Sequence, residues 1–111
     1  MITDAEFSKA SDAALEKLNR GMDSVADRHD VEILFQGGVL TLEIEEPAPS
    51  KIIISPNSSA RQIWISAQST SFKLDWSPDA AAFVLQATRE PLGVLVGRLL
   101  GEELGVGPLS L

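Results

Sequence analysis

The period of the hydrophobic residues changes from helical to alternating near residue 30, and this change most narrows the folds open to the chain. Thr3 and Glu6 have the spacing of a capping box, which predicts that a helix begins near Asp4. Apolar and small residues then recur at helical spacing up to about Asp27. The residues expected on the buried arc are Phe7, Ala10, Ser11, Ala14, Leu15, Leu18, Met22 and Val25. The sequence therefore predicts one long amphipathic helix over residues 4–27.

Short segments typical of strands follow this helix and are separated by Gly, Pro, Asn and Ser. The clearest is 39–45, in which Leu40, Leu42 and Ile44 alternate with polar residues. The other strands are predicted at 31–35, 51–55, 61–67 and 72–76, with a short sixth at 82–86. Because short loops join neighbouring strands, an antiparallel sheet is expected.

A second helix is predicted over about residues 90–104, with Pro91 in its first turn. Gly93, Gly97 and Gly101 form a stripe on it, which predicts either close approach to another backbone or fraying. The predicted fold is an α+β two-layer sandwich. In it, an antiparallel sheet of five to six strands packs against the N- and C-terminal helices, as one domain of residues 1–111.

The charge of the chain narrows the choice of partners. Sixteen acidic and nine basic residues give a net charge of −7, which disfavours nucleic acid and anionic membranes. Cations and basic protein surfaces are favoured instead. Residues 1–4 lack the basic and then apolar pattern of a signal peptide, so a cytoplasmic protein is expected.

The residue inventory also narrows the chemistry. The chain has no cysteine and no tyrosine, and His29 is its one histidine. Disulfides, thiolate metal sites and cysteine nucleophiles are excluded, and a serine–histidine triad or a histidine-rich metal site is disfavoured. The side chains left for general acid–base catalysis are carboxylates and lysines, and the sequence singles out no catalytic residue among them.

A row of acids runs along the first helix, opposite its buried arc. With Phe7 at 0°, these acids fall between about 140° and 200° around the helix. This acidic stripe consists of Asp12, Glu16, Asp23 and Asp27, and is continued along the chain by Asp30 and Glu32. Two interpretations stay open: a solvated helix face, or a weak oxygen-ligand site for hard cations such as iron.

The outward face of the strand at 61–67 carries an aromatic residue. Gln62 and Trp64 share that face by strand alternation, and Thr41 and Glu43 are candidates for the same face. An exposed tryptophan on a polar sheet face is unusual and is typical of a protein-binding anchor. The alternative is a tryptophan covered by a loop or a long side chain.

Two further charged residues, Lys73 and Asp75, are predicted on the outward side of the strand at 72–76. There an ion pair between them is expected rather than a catalytic role. Neither a glycine-rich phosphate loop nor a pair of metal-ligating histidines is found in the sequence.

Two motifs in order resemble the frataxin family. Gly-Gly-Val-Leu-Thr at 37–41 is followed by Arg-Gln-Ile-Trp-Ile-Ser at 61–66, and the similarity extends over about residues 4–104. The resemblance implies the same helix, sheet and helix sandwich. It also implies an adaptor that binds ferrous or ferric iron weakly and contacts a cysteine desulfurase and an iron–sulfur scaffold protein.

The resemblance also assigns candidate residues. It puts Asp12, Asp23, Asp30 and Glu32 at acidic-ridge positions, to which this chain adds Glu16 and Asp27 as candidate metal ligands. The residues expected to bind partners are Gln62, Trp64, Thr41, Glu43, Arg61 and Lys73. The chain departs from the family at the end of the first helix, where Asn19, Arg20, Ser24, Ala26 and Arg28 stand at positions that are often acidic.

Three functional hypotheses follow. The first is a non-enzymatic, monomeric adaptor in iron–sulfur cluster assembly, with oligomers formed in iron as an open alternative. The second is a ferroxidase that oxidises iron at paired carboxylates. The third is a generic protein-interaction domain of the same fold that has lost iron binding.

Overall fold

The computed structural model describes residues 2–45, 47–67 and 70–111. Its first helix, α1, spans Asp4–Arg28 and begins at the predicted capping box. The amide of Glu6 donates to Thr3 Oγ1 at 3.1 Å, and the amide of Thr3 donates to Glu6 Oε1 at 3.0 Å. The bond from the Thr3 amide lowers the pKa of the Glu6 carboxyl. The predicted long helix is confirmed, and it ends one residue later than expected.

The buried face of α1 follows the predicted period. Phe7, Ser11, Leu15, Leu18, Met22 and Val25 are buried. Ala10 and Ala14, which belong to the same arc, are half-buried. The helical spacing of the sequence therefore identifies the face that packs on the sheet.

Within the described ranges, seven antiparallel strands form one sheet and lie in sequence order from one edge to the other. They are β1 (Val31–Gln36), β2 (Val39–Ile44), β3 (Ser50–Asn57), β4 (Gln62–Ala67), β5 (Thr70–Ser77), β6 (Ala82–Leu85) and β7 (Glu90–Pro91). The second helix, α2, spans Leu92–Leu104. The α+β class is confirmed, with one strand more than the five to six expected.

The start of the second helix was predicted wrongly at its first two residues. Glu90 and Pro91 pair with Leu85 and Val84 as β7, at the edge of the sheet. Pro91 has extended backbone angles, φ −67° and ψ 160°. Proline lacks an amide donor but fits an edge strand, because no further strand requires that donor there.

The core lies between the sheet and both helices. Residues from β2, β3, β4 and β5 point into it and are buried, namely Leu40, Leu42, Ile44, Ile52, Ile54, Ile63, Ile65 and Leu74. The ring of Phe83 meets Phe7 at 5.7 Å and Trp76 at 5.2 Å between centroids, both edge to face. Because the helices cover this face, the opposite face of the sheet is the outward one.

The glycine stripe of α2 lies against the end of the chain. Positions 97 and 101 face the backbone of Leu109 and Gly107, and the amide of Leu109 donates to the carbonyl of Gly97 at 3.1 Å. Gly97 and Gly101 therefore allow close backbone approach, the first of the two predicted alternatives, whereas Gly93 has no such neighbour within 4 Å. Among the described residues, no helix combines the length and apolar character needed to cross a membrane.

Candidate functional site

The outward face of β4 carries the tryptophan that the sequence singled out. Ile63 and Ile65 point into the core, while Trp64 points outward and is 37% exposed. The β4–β5 register puts Trp64 opposite Lys73 and Gln62 opposite Asp75. We call this cluster of four outward side chains the Trp64 surface.

Polar contacts hold the indole of Trp64 in place. Its Nε1–H donates to Gln62 Oε1 at 2.9 Å, and Gln62 Nε2 donates to Asp75 Oδ1 at 2.9 Å. The ammonium of Lys73 lies 4.9 Å from the centroid of the indole ring, a cation–π contact. Both sequence alternatives hold in part, because the ring is exposed and one long side chain lies over it.

The ion pair predicted between Lys73 and Asp75 is wrong. In the described part of the chain, Lys73 instead contacts Trp64 and Asp75 accepts from Gln62. Side chains that face each other across two strands lie closer together than side chains two residues apart on one strand. The β4–β5 register therefore determines which residues Lys73 and Asp75 contact. Asp75 therefore belongs to the Trp64 surface, although the sequence analysis did not count it among the partner-binding residues.

The other predicted partner residues lie outside the Trp64 surface. Thr41 is on the outward face of β2, two strands from β4. Glu43 forms an ion pair with Lys51 at 3.3 Å. Arg61 Nε donates to Asp4 Oδ1 at 2.7 Å, which ties the turn before β4 to the start of α1.

An apolar residue missed by sequence reasoning extends the outward face toward β1. Leu34 is 55% exposed and lies opposite Thr41, which in turn lies opposite the half-buried Ile53. The outward position of Leu34 could have been predicted from strand alternation in 31–36, because Ile33 and Phe35 point toward the core.

The acidic stripe is exposed along its whole length. Its four members on α1 lie on the face away from the core, and Asp30 and Glu32 follow immediately before and within β1. In the ranges that the structure describes, none of the six carboxylates has a hydrogen bond or an ion pair. The same ranges contain no group of three or more acids, or His, placed to hold a metal ion.

The stripe meets the outward sheet face at the ends of β1 and β2. Glu32 lies directly opposite Glu43 across the two strands. Together with Asp30 and Glu45 they line a shallow depression of about 420 Å³. Since Lys51 pairs only with Glu43 among these acids, the depression keeps a strong negative charge.

Comparison with known proteins gives one family. A family model described as the frataxin-like domain matches residues 1–106. A solved structure of frataxin from Psychromonas ingrahamii superposes with a TM-score of 0.80, covers 96% of each chain and is 18% identical. At that identity the match shows the fold alone.

Curated relatives agree in name. The iron-sulfur cluster assembly protein CyaY of Stutzerimonas stutzeri is 29% identical over 104 residues, covering 94% of this chain and 91% of that protein. The protein of the same name from Pseudomonas paraeruginosa is 34% identical over 76 residues, covering 68% of each.

Proposed function

Because the chain belongs to the frataxin-like family, we propose that it acts in iron–sulfur cluster assembly as a non-enzymatic adaptor. In this proposal it docks on a cysteine desulfurase and on the scaffold protein where clusters form. Its relatives carry the name of cluster assembly proteins, which supports the general role. The observation that carries the proposal is the exposed, hydrogen-bonded indole of Trp64.

Trp64 has the properties of a binding anchor. Its N–H already has an acceptor in Gln62, so covering the ring with a partner leaves no buried donor unsatisfied. Its orientation is fixed before binding, which reduces the entropy that association would otherwise cost. Buried tryptophans are among the residues that contribute most to protein interfaces. The Trp64 surface therefore supplies affinity in this proposal.

The acidic stripe supplies attraction toward a basic partner. Its carboxylates are exposed and free of internal partners in the described residues, so their field extends into solvent. Complementary charge speeds association and is screened by salt. We propose that the stripe guides docking onto a basic groove of the desulfurase.

Iron enters this proposal as cargo and not as a resident cofactor. Exposed carboxylate oxygens suit ferrous and ferric iron, and isolated carboxylates bind such cations weakly. The residues proposed to contact iron are the six of the acidic stripe and its continuation. The ferroxidase alternative predicts oxygen consumption during ferrous addition that exceeds the buffer rate.

The test is cluster formation on the scaffold by a cysteine desulfurase, with cysteine and limiting ferrous iron. We expect this protein to change the rate and Trp64→Ala to remove that change. Val106→Ala is the matched control, because Val106 is another exposed apolar residue, at 44%, and lies outside the sheet. A rate that Trp64→Ala leaves equal to that of the wild type contradicts the proposal.

A further inference from the structure

A cleft lies on the helix side of the sheet, away from the Trp64 surface. It has a volume of about 780 Å³ and is bounded by α1, the start of α2, the β5–β6 turn and residues 108–111. This volume is in the range of small-molecule sites, which are mostly apolar with a few polar groups. None of the residues proposed above to bind iron or protein partners lines it.

Small residues create the space. Ala10, Ala13 and Ala14 form the wall on α1, and Gly93 lies opposite on α2. Trp76 contributes an aromatic wall, fixed by its edge-to-face contact with the buried Phe83. These surfaces suit an apolar ligand body, because burying apolar area releases it from water.

The backbone of the chain end forms another wall. The amide of Leu109 donates to the carbonyl of Gly97 at 3.1 Å, which fixes this segment across α2. Leu109 and Leu111 line the cleft from that side. The walls are therefore held in place by hydrogen bonding as well as by packing.

The guanidinium of Arg98, at the edge of the cleft, is already paired with two carboxylates. Arg98 donates to both carboxylate oxygens of Glu90 at 2.8 Å, and to Glu102 at 3.3 Å. The Arg98 guanidinium, with the hydroxyl of Thr88, lowers the pKa of Glu90 to about 2. Glu90 therefore stays ionised and paired, and it offers no free charge to a ligand.

Lys17 is different, because it lines the cleft and has no hydrogen bond or ion pair within the described residues. Its ammonium is available to an anion, while its methylene stem can cover apolar surface. From the apolar walls and this unpaired cation, we infer that the cleft binds a small amphipathic monocarboxylate. The apolar body lies between the alanines of α1 and Trp76, and the carboxylate pairs with Lys17.

The two tryptophans of the chain provide an internal comparison for the test. Trp76 lines the cleft, whereas Trp64 lies on the opposite face of the sheet. Titration of the ¹⁵N-labelled full chain with octanoate, followed through both indole N–H signals, reads the two faces at once. Trp64→Phe assigns the signals. We expect a saturable shift of the Trp76 signal and an unchanged Trp64 signal.

Variants separate the contributions of charge and shape. Lys17→Gln is expected to weaken octanoate binding about fivefold and to leave binding of the neutral analogue 1-octanol unchanged. Lys9→Gln is the matched control, since Lys9 is exposed on the same helix and outside the cleft. Gly93→Leu, at a position where a Cβ meets nothing within 4 Å, is expected to block both ligands without straining the fold.

Three results would overturn the inference. They are a Trp76 signal that millimolar octanoate does not move, equal shifts at Trp76 and Trp64, and equal effects of Lys17→Gln and Lys9→Gln. None of these readouts involves the desulfurase or the scaffold. A cleft that does not bind octanoate and a protein that does not act in cluster assembly would therefore be distinguished.

Discussion

The Trp64 surface and the acidic stripe differ in how their polar groups are held. On the sheet, Trp64, Gln62 and Asp75 form a chain of hydrogen bonds, each of 2.9 Å, and Lys73 lies over the ring. Within the described residues, in contrast, the four carboxylates of the acidic stripe on α1 have no internal partners. The side chains of the Trp64 surface are therefore fixed in one arrangement, whereas the acidic stripe contributes negative charge without a fixed arrangement of side chains. In the proposed function, the Trp64 surface therefore determines how tightly a partner is held, and the acidic stripe determines how fast the partner associates.

The largest expected effect is the loss of the anchor. Trp64→Ala should weaken binding to the desulfurase–scaffold assembly about 30-fold, or about 2 kcal/mol, because a buried tryptophan dominates such interfaces. The loss should appear mainly in the dissociation rate, measured by surface plasmon resonance. The melting temperature should barely change, since the ring is 37% exposed and outside the core.

Val106→Ala is the control for removing an exposed apolar side chain, and it should bind as the wild type does. If both variants weaken binding equally, the Trp64 surface is no anchor and the contrast with the stripe disappears.

The second effect concerns the stripe. Neutralising Asp12, Glu16, Asp23 and Asp27 to their amides should lower the association rate about tenfold at low salt, because complementary fields speed encounter. The difference should shrink toward zero near 0.5 M salt, where screening is nearly complete. Stopped-flow association at several salt concentrations measures both quantities.

Asp79→Asn is the control for a change of net charge alone, because Asp79 is an exposed acid at the β5–β6 turn. Its effect on the association rate should be smaller than the per-charge effect in the stripe. A dissociation rate that rises in the stripe variant would mean that the stripe forms tight contacts, contrary to the comparison.

The third effect tests whether the fixed orientation of the Trp64 indole contributes to binding affinity. Gln62→Ala removes the acceptor for Trp64 and the donor for Asp75 together. We expect binding about fivefold weaker, equivalent to about 1 kcal/mol for a lost hydrogen-bonding partner. Isothermal titration should show a less favourable entropy of binding, because the ring is then ordered only on docking.

The matched control is Ser66→Ala, an exposed polar residue on the same strand and face. It should leave affinity unchanged. If Gln62→Ala also leaves affinity unchanged, the fixed orientation of Trp64 contributes nothing to binding, and only the area that its ring buries does.

The parts of the fold set by local spacing were predictable. The helical period identified Phe7, Leu15 and Met22 as buried, and strand alternation placed Trp64 outward. Contacts between distant segments were harder to predict. The sequence contains no signal for the register that puts Lys73 opposite Trp64, so an ion pair with Asp75 was expected instead.

The same limit explains two other outcomes. β7 exists because Glu90 and Pro91 pair with β6, a contact that helix propensity in 90–104 does not reveal. The stripe of Gly97 and Gly101 indicated close approach or fraying, and only the position of Leu109 decided between them. For the acidic stripe, spacing predicted the shared face, while iron binding there stays a prediction.

The smallest expected effect is the response of iron affinity to a single change in the stripe. Because the described residues contain no group of three acids placed to hold a metal ion, we expect weak iron binding by separate carboxylates. Because each carboxylate contributes little alone, Asp23→Asn should change the dissociation constant less than about twofold. Anaerobic titration with ferrous iron, followed by amide shifts over residues 12–32, measures it.

Lys9→Gln is the control, since it changes the charge of the same helix by one unit without removing an oxygen ligand. It should strengthen binding slightly through the field alone. A tenfold loss on Asp23→Asn would instead indicate a fixed ligand set around that carboxylate. The stripe would then resemble the Trp64 surface, a site defined by geometry, and the distinction between anchoring and attraction would no longer separate the two regions.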